Sequence, residues 1–122
     1  MYTYFRSSAA FRVRIALDLK RLDYRAVPVH LIRDGGQQHQ AEYRAVNPFG
    51  LVPSYREDDR TIRQSLAIIE YLDECHPEPP MLPVTPLARA EARQSALSIA
   101  CDIHRLNNPR VMKYLEGELH VD

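Results

Sequence analysis

Five of the nine prolines in this 122-residue chain fall between Pro77 and Pro86, in the run P-E-P-P-M-L-P-V-T-P. Proline lacks an N–H and fixes φ, so neither a helix nor a central strand continues through such a run. The stretch reads as a semi-rigid linker that divides the chain into 1–76, 77–85 and 86–122. Before it, β-favouring and helical patterns alternate. After it, the pattern is helix alone, and one or two helices cannot bury a core of their own.

Met1 to Phe5 is short, aromatic and β-favouring, and reads as a first strand. A helix is expected from about Ala9 to Lys20. Ala9, Ala10, Val13, Ala16 and Leu17 share one face, while Phe11, Ile15 and Leu19 form a second apolar arc. Such a helix is expected to sit between a sheet and another layer. Tyr24 to Leu31 reads as a second strand, and Pro28 within it predicts an edge position. Strand, helix and strand in this order predict a right-handed βαβ unit with parallel strands.

Arg33 to Gln40 is a polar loop, and its Gly35-Gly36 pair matches no phosphate loop. A short helix, Gln38 to Val46, stops before Asn47-Pro48. Leu51 to Tyr55 and Thr61 to Arg63 flank the charged turn Arg56 to Arg60, which predicts an antiparallel pair. A helix over Leu66 to Glu74 follows, with Ser65 as its candidate N-cap and Cys75-His76-Pro77 closing it. Beyond the linker, Thr85 is expected to cap a helix with Pro86 at its first position. That helix runs to about Leu106 and resumes from Pro109 to near Leu119.

Lys plus Arg number 16, as do Asp plus Glu. A balanced charge gives no electrostatic case for nucleic acid or a membrane surface. No apolar run approaches membrane-spanning length, and M-Y-T-Y-F-R is not the start of a signal peptide. Two cysteines, Cys75 and Cys101, are too few for a disulfide scaffold and read as reduced thiols of a cytoplasmic protein. The histidines and cysteines show no ligand spacing. Cys101 and His104 stand three apart, but two ligands are too few, so no metal site is expected.

The chemistry concentrates at the strand-to-helix junction Y-F-R-S-S-A-A-F-R-V-R-I-A-L, from Tyr4 to Leu17. A serine there accepts a hydrogen bond from an otherwise unpaired helix N–H. The same place carries the positive end of the helix dipole and suits a thiolate or carboxylate. On this segment alone, a plain N-cap and an anion site both remain open. The order β-α-β-α-β-β-α, with Pro53 at the start of the third strand, is that of a thioredoxin-like domain, and a cis bond before Pro53 is expected. Where thioredoxins carry C-x-x-C, this chain has Ser7-Ser8-Ala9-Ala10, which excludes dithiol chemistry there.

The chain closely resembles the zeta-class glutathione transferases, which include maleylacetoacetate and maleylpyruvate isomerases. The matching stretches are Y-F-R-S-S-x-x-x-R-V-R-I-A-L from Tyr4, Y-x-x-V-P-V from Tyr24 and L-I-x-D-x-G-Q-Q from Leu31. They continue with N-P-x-x-x-V-P from Asn47, Q-S-L-A-I-I-E-Y-L from Gln64, L-P from Leu82 and C-D-I-H-x-L-N-N from Cys101. The resemblance implies an α/β fold: a thioredoxin-like N-terminal domain, then the start of an all-α glutathione transferase C-terminal domain.

It also implies a homodimer with glutathione as cofactor and a small dicarboxylate-type substrate. Ser8 would donate to the glutathione sulfur, with Ser7 as the alternative donor. Val52 would pair its backbone with the cysteinyl backbone, and it can be a core valine at the same time. Gln64 and Ser65 would hold the γ-glutamyl carboxylate at a helix N-terminus. Gln38 resembles a glutamine that reaches the glycyl end, and a solvated loop glutamine is the other reading. His104, Asn108 and Arg110 match residues that close over the thiol site, with a solvated or paired role for His104 left open. Arg12 and Arg6 are placed to attract substrate carboxylates, and Arg14 reads as a surface charge.

The implied activity is glutathione-dependent cis–trans isomerisation of a maleyl-type keto acid by reversible thiolate addition. General glutathione transfer or dehalogenation, and a non-catalytic interaction module, are the alternatives. Two departures stand out. Ala9 and Ala10 replace the family's Cys and Ser, and members of the family continue well beyond this chain's length.

Overall fold

A computed structural model describes residues 1–106 and 109–120, without the side chains of 109 and 110. The chain forms two compact units, Met1–Met81 and Leu82–Asp122. In the first, β1 (Tyr2–Thr3) leads to α1 (Ser8–Leu19) and β2 (Val27–Pro28). Two 3-10 turns at Arg33–Gly35 and Gln37–His39 precede α2 (Ala41–Val46), β3 (Ser54–Glu57), β4 (Arg60–Arg63) and α3 (Ser65–Cys75). The strand order is β2-β1-β3-β4. β1 runs parallel to β2 and antiparallel to β3, and β3 is antiparallel to β4. Pro28 thus lies on an edge strand, as predicted, where a missing donor costs least.

The strands are shorter than their β-favouring runs, and the reasons are local. Val27 and Val29 donate to the carbonyls of Met1 and Thr3 at 2.9 and 2.8 Å. Beyond them, the His30 N–H is taken at 2.8 Å by the Gln37 side chain, which ends the pairing. The third strand starts at Ser54 rather than Leu51, because side chains of Tyr43 and Asn47 occupy the Leu51 carbonyl. The second helix starts at Ala41 rather than Gln38, because Gln40 is extended (ψ 150°) and separates it from the preceding 3-10 turn.

Met1 packs with Val13 and Leu17 of α1 and with Ile68 and Leu72 of α3. The four-residue spacings stack each pair on one helix face. Burying each such side chain contributes about 1.5–3 kcal/mol. Tyr2, the next residue along, faces the other way and meets the Tyr43 ring of α2 at 5.5 Å. Alternation along a strand therefore puts α1 and α3 on one face of the sheet and α2 on the other. The second arc of α1 corrects the expected sandwich: Phe11, Ile15 and Leu19 are 45–57% exposed. Only the face of Ala10, Val13, Ala16 and Leu17 is buried. Helical periodicity reports what a helix can bury, and in this chain one layer is present to cover it.

Lys20, at the C-cap of α1, has a wholly buried side chain. Its ammonium donates to Asp73 Oδ1 and the His76 carbonyl, both at 2.5 Å, and to the Pro79 carbonyl at 2.6 Å. Three donors thus meet three acceptors. Asp73 Oδ1 also accepts the Met81 N–H at 2.8 Å. This clamp joins the C-terminal ends of α1 and α3 to the proline-rich run.

The second unit holds α4 (Pro86–Leu97), a π-helical turn (Ser98–Ile103), α5 (His104–Leu106) and α6 (Pro109–Gly117). Thr85 caps α4 through Oγ1, which accepts the Ala88 N–H at 3.4 Å, and Pro86 holds the first position, as predicted. The π turn corrects the expectation of one regular helix to Leu106. None of the described side chains in this unit is buried, consistent with too few helices for a core.

Candidate functional site

Strand register gathers four segments at one end of the sheet. Tyr2 pairs with Ser54, Ser54 with Arg63, and Thr3 with Pro28. The chain leaving β1 towards Ser7, leaving β2 towards Gln38, entering β3 from Val52 and leaving β4 into Gln64 therefore does so at this one end.

Ser7 is the N-cap of α1, and its Oγ accepts the Ala10 N–H at 3.1 Å. Its hydroxyl proton stays available to donate. Ser8 is the first residue of the helix and is exposed. The Ser8 and Ala9 N–H groups precede the first helical hydrogen bond and have no acceptor within the helix. Both predicted serines thus stand at one helix N-terminus, with Ser7 engaged as the cap and Ser8 open. Arg14 is not the surface charge expected. It donates to Thr3 Oγ1 at 2.8 Å, to the Tyr4 carbonyl at 3.3 Å and to the Phe5 carbonyl at 3.4 Å. Its guanidinium also lies 5.3 Å from the Phe11 ring centroid. It binds the helix to the strand end that carries the serines. Its position two turns after the cap, with side chains leaning towards the N-terminus, is the signal that sequence reasoning missed.

Arg12 is half-buried and has no hydrogen bond or ion pair among the described residues. Burial pulls its guanidinium below the ordinary value, yet it remains a cation at neutral pH. Arg6 is exposed.

Val52 is half-buried, and neither its N–H nor its C=O has a partner among the described residues. The Val52-Pro53 bond is cis, as expected. Behind Val52 lies a buried polar group not foreseen from sequence. The Tyr43 hydroxyl donates to the Leu51 carbonyl at 2.6 Å and lies 3.0 Å from Ser54 Oγ. Asn47 Nδ2 donates to the same carbonyl at 2.7 Å and reaches Ser54 Oγ at 3.3 Å. Asn47 Oδ1 accepts the Phe49 N–H at 3.1 Å. Burial raises the Tyr43 phenol above its ordinary value, against the opposing effect of its bonds to Ser54 and Asn47.

Gln64, not Ser65, is the N-cap of α3, which corrects the predicted cap. Ser65 is the first helical residue and is buried, whereas Gln64 is exposed. Gln64 adopts φ 71°, ψ 119° and makes no side-chain cap bond. A non-glycine residue held there costs about 1–3 kcal/mol. The helix's first bond runs from the Ile68 N–H to the Gln64 carbonyl at 3.0 Å, leaving earlier N–H groups open.

Gln38 is buried, so it is not a solvated loop residue. Its Nε2 donates to the Leu31 carbonyl at 3.3 Å and lies 3.1 Å from His39 Nε2. Its buried Oε1 has no partner among the described residues. Gly50, at φ 63°, lets the loop before Val52 approach this turn, since a Cβ there would lie 2.9 Å from the Gln38 carbonyl oxygen. In the second unit, His104 begins α5 and is half-buried. Asn108 and the side chain of Arg110 lie outside the described residues.

The end of the sheet therefore offers two helix N-termini, a backbone segment unpaired among the described residues and the exposed Ser8 hydroxyl. That set suits an extended backbone that pairs as an added strand, and anionic groups at the helix N-termini. Among the described residues, no group of three or more His, Cys, Asp or Glu could hold a metal ion. No described helix is long and apolar enough to cross a membrane.

Residues 1–80 match the family described as Glutathione S-transferase, N-terminal domain. A probable maleylacetoacetate isomerase of Vibrio cholerae is 49% identical over 121 residues, which are 99% of this chain and 56% of that protein. A holo maleylpyruvate isomerase, described as a bacterial zeta-class glutathione S-transferase, superposes with a TM-score of 0.94 at 37% identity. That match covers 99% of this chain and 56% of the other. A maleylacetoacetate isomerase of Methylobacterium extorquens AM1, solved with malonate and glutathione bound, gives 0.93 at 46% identity, covering 100% and 56%. The chain spans about half the length of the curated relatives it matches.

Proposed function

The chain belongs to the glutathione S-transferase family, in its zeta class, and from that premise we propose that it binds glutathione at the α1–α3 end of its sheet. The activity proposed is glutathione-dependent cis–trans isomerisation of a maleyl-type keto acid, in a cytoplasmic homodimer. The observation that carries this reading is the unpaired backbone of Val52, at the sheet end where α1 and α3 also begin. A core valine in a closed strand would have its N–H and C=O paired.

The residues present fit glutathione. Ser65 and the open N–H groups of α3 would hold the γ-glutamyl carboxylate, with Gln64 flanking it. Val52 would pair with the cysteinyl backbone as an added strand does. Ser8, with Ser7 as alternative, would donate to the sulfur. A hydroxyl donor beside a helix N-terminus lowers a thiol pKa near 8.5 by roughly one to two units. Gln38 would stand at the glycyl end. Bound glutathione would supply a thiolate for reversible conjugate addition to the substrate's cis double bond, the electron pair passing to the adjacent carbonyl and returning as the thiolate leaves. Arg12 would hold a substrate carboxylate and stabilise the charge that develops beside it.

Calorimetric titration of glutathione into this chain and into a Ser8→Ala variant tests the reading. Binding by the unaltered chain, with reduced thiolate absorbance per bound molecule in the variant, is expected. Absence of binding to either would overturn the cofactor assignment. Equal thiolate absorbance would remove the role from Ser8 and direct the same test to Ser7. With a maleyl acid as substrate, isomerisation leaves free glutathione unchanged, whereas conjugation consumes it.

A further inference from the structure

We infer that Tyr43 and Asn47 are positioning residues for glutathione, acting through one peptide plane. The inference rests on the glutathione reading above and adds to it what aims the Val52 donor. The Leu51 carbonyl and the Val52 N–H belong to the same peptide unit, which is planar, with C=O and N–H pointing in opposite directions. That unit is not among the cis bonds of the chain. Two buried donors, the Tyr43 hydroxyl at 2.6 Å and Asn47 Nδ2 at 2.7 Å, converge on the Leu51 oxygen. Holding the oxygen from one side fixes the plane and directs the Val52 N–H away from the buried cluster.

The donors are themselves held. Asn47 is 2% exposed and Ser54 is fully buried, and Ser54 Oγ contacts both the Tyr43 hydroxyl and Asn47 Nδ2. Asn47 Oδ1 also fixes the Phe49 N–H, so one side chain holds the middle and the far end of the Asn47–Leu51 loop. A strand ladder would orient Val52 by consuming its N–H. Here side chains orient the peptide from its carbonyl side and leave the N–H open for a ligand.

The test compares the unaltered chain, Tyr43→Phe and Ile68→Val by glutathione titration, with hydrogen exchange of the Val52 amide read in the free and bound states. Ile68 is in the core, and its variant supplies a destabilised fold with the Leu51 donors intact. In the unaltered chain, glutathione should protect the Val52 amide. Tyr43→Phe should weaken glutathione roughly five-fold, the worth of one hydrogen bond. It should also lower Val52 protection in the complex while leaving thiolate absorbance per bound molecule unchanged. Ile68→Val should bind as the unaltered chain does. If Tyr43→Phe binds with unchanged affinity and unchanged Val52 protection, or if Ile68→Val weakens binding as much, the inference is overturned and the glutathione reading stands. If the unaltered chain fails to bind glutathione, that reading falls, and the inference with it.

Discussion

The two ends of the α1–α3 pair are built on opposite principles. At the C-terminal end, Lys20 meets three acceptors and Asp73 Oδ1 accepts from both Lys20 and Met81. At the N-terminal end, neither the Val52 backbone nor Arg12 has a partner among the described residues, and Gln64 sits at φ 71°. The same two helices thus carry a closed polar clamp at one end and an open set of donors at the other. An end that serves the fold satisfies its own groups. An end that serves a ligand leaves them for the ligand to satisfy, at a cost in stability.

The largest effect is expected at the closed end. Lys20→Ala takes the cation from half-buried Asp73 and the donor from the His76 and Pro79 carbonyls, and should destabilise the chain by about 3 kcal/mol in denaturant unfolding. Glutathione affinity of the molecules that remain folded should not change. A loss of affinity beyond the unfolded fraction would show that the two ends are coupled. Next, Ser8→Ala should raise the pKa of bound glutathione thiol by roughly one to two units, followed by thiolate absorbance against pH, with little change in the unfolding midpoint.

Gln64→Gly gives the contrast its sharpest form, because its two effects should have opposite signs. Removing the side chain from a positive φ should stabilise the chain by about 1 kcal/mol while weakening glutathione binding. Stabilisation with unchanged binding would detach Gln64 from the site.

The smallest effect is a pH dependence at Tyr43. Burial raises its phenol above the ordinary value, so the unfolded chain loses this proton first. The contribution is present below the ordinary tyrosine value, about 10, and is lost as pH rises towards the folded value. Tyr43→Phe should flatten the alkaline fall in stability seen in unfolding curves taken above that pH.

Much of the site was legible because its residues sit at element boundaries that local rules mark. Ser7 follows a β-favouring run and precedes an amphipathic one, which suffices to place a cap. Pro53 opens a strand, and Pro28 marks an edge. What stayed hidden depends on distant partners. Lys20 follows Val13 and Leu17 on the buried helix face, yet its charge argues for solvent until Asp73 and two carbonyls are seen around it. Arg14 looks like an exposed charge until the end of β1 folds back over its guanidinium. Ser65 looks like a cap because serine favours that place, but the helix begins one residue earlier than the apolar pattern and gives the cap to Gln64.

The chain's own pattern determined the element order, the parallel and antiparallel pairings, the capped start of α1 and the Thr85 cap with Pro86 at the start of α4. These follow from short-range sterics, capping chemistry and side-chain periodicity, all of which act within a few residues. The tertiary structure alone decided that Val52 is unpaired among the described residues, that Leu51 is gripped by Tyr43 and Asn47, and that four segments meet at one end of the sheet. Those outcomes depend on register and on which distant group satisfies a buried donor. No local rule contains that information, because hydrogen-bond satisfaction is settled only when the whole unit closes around its core.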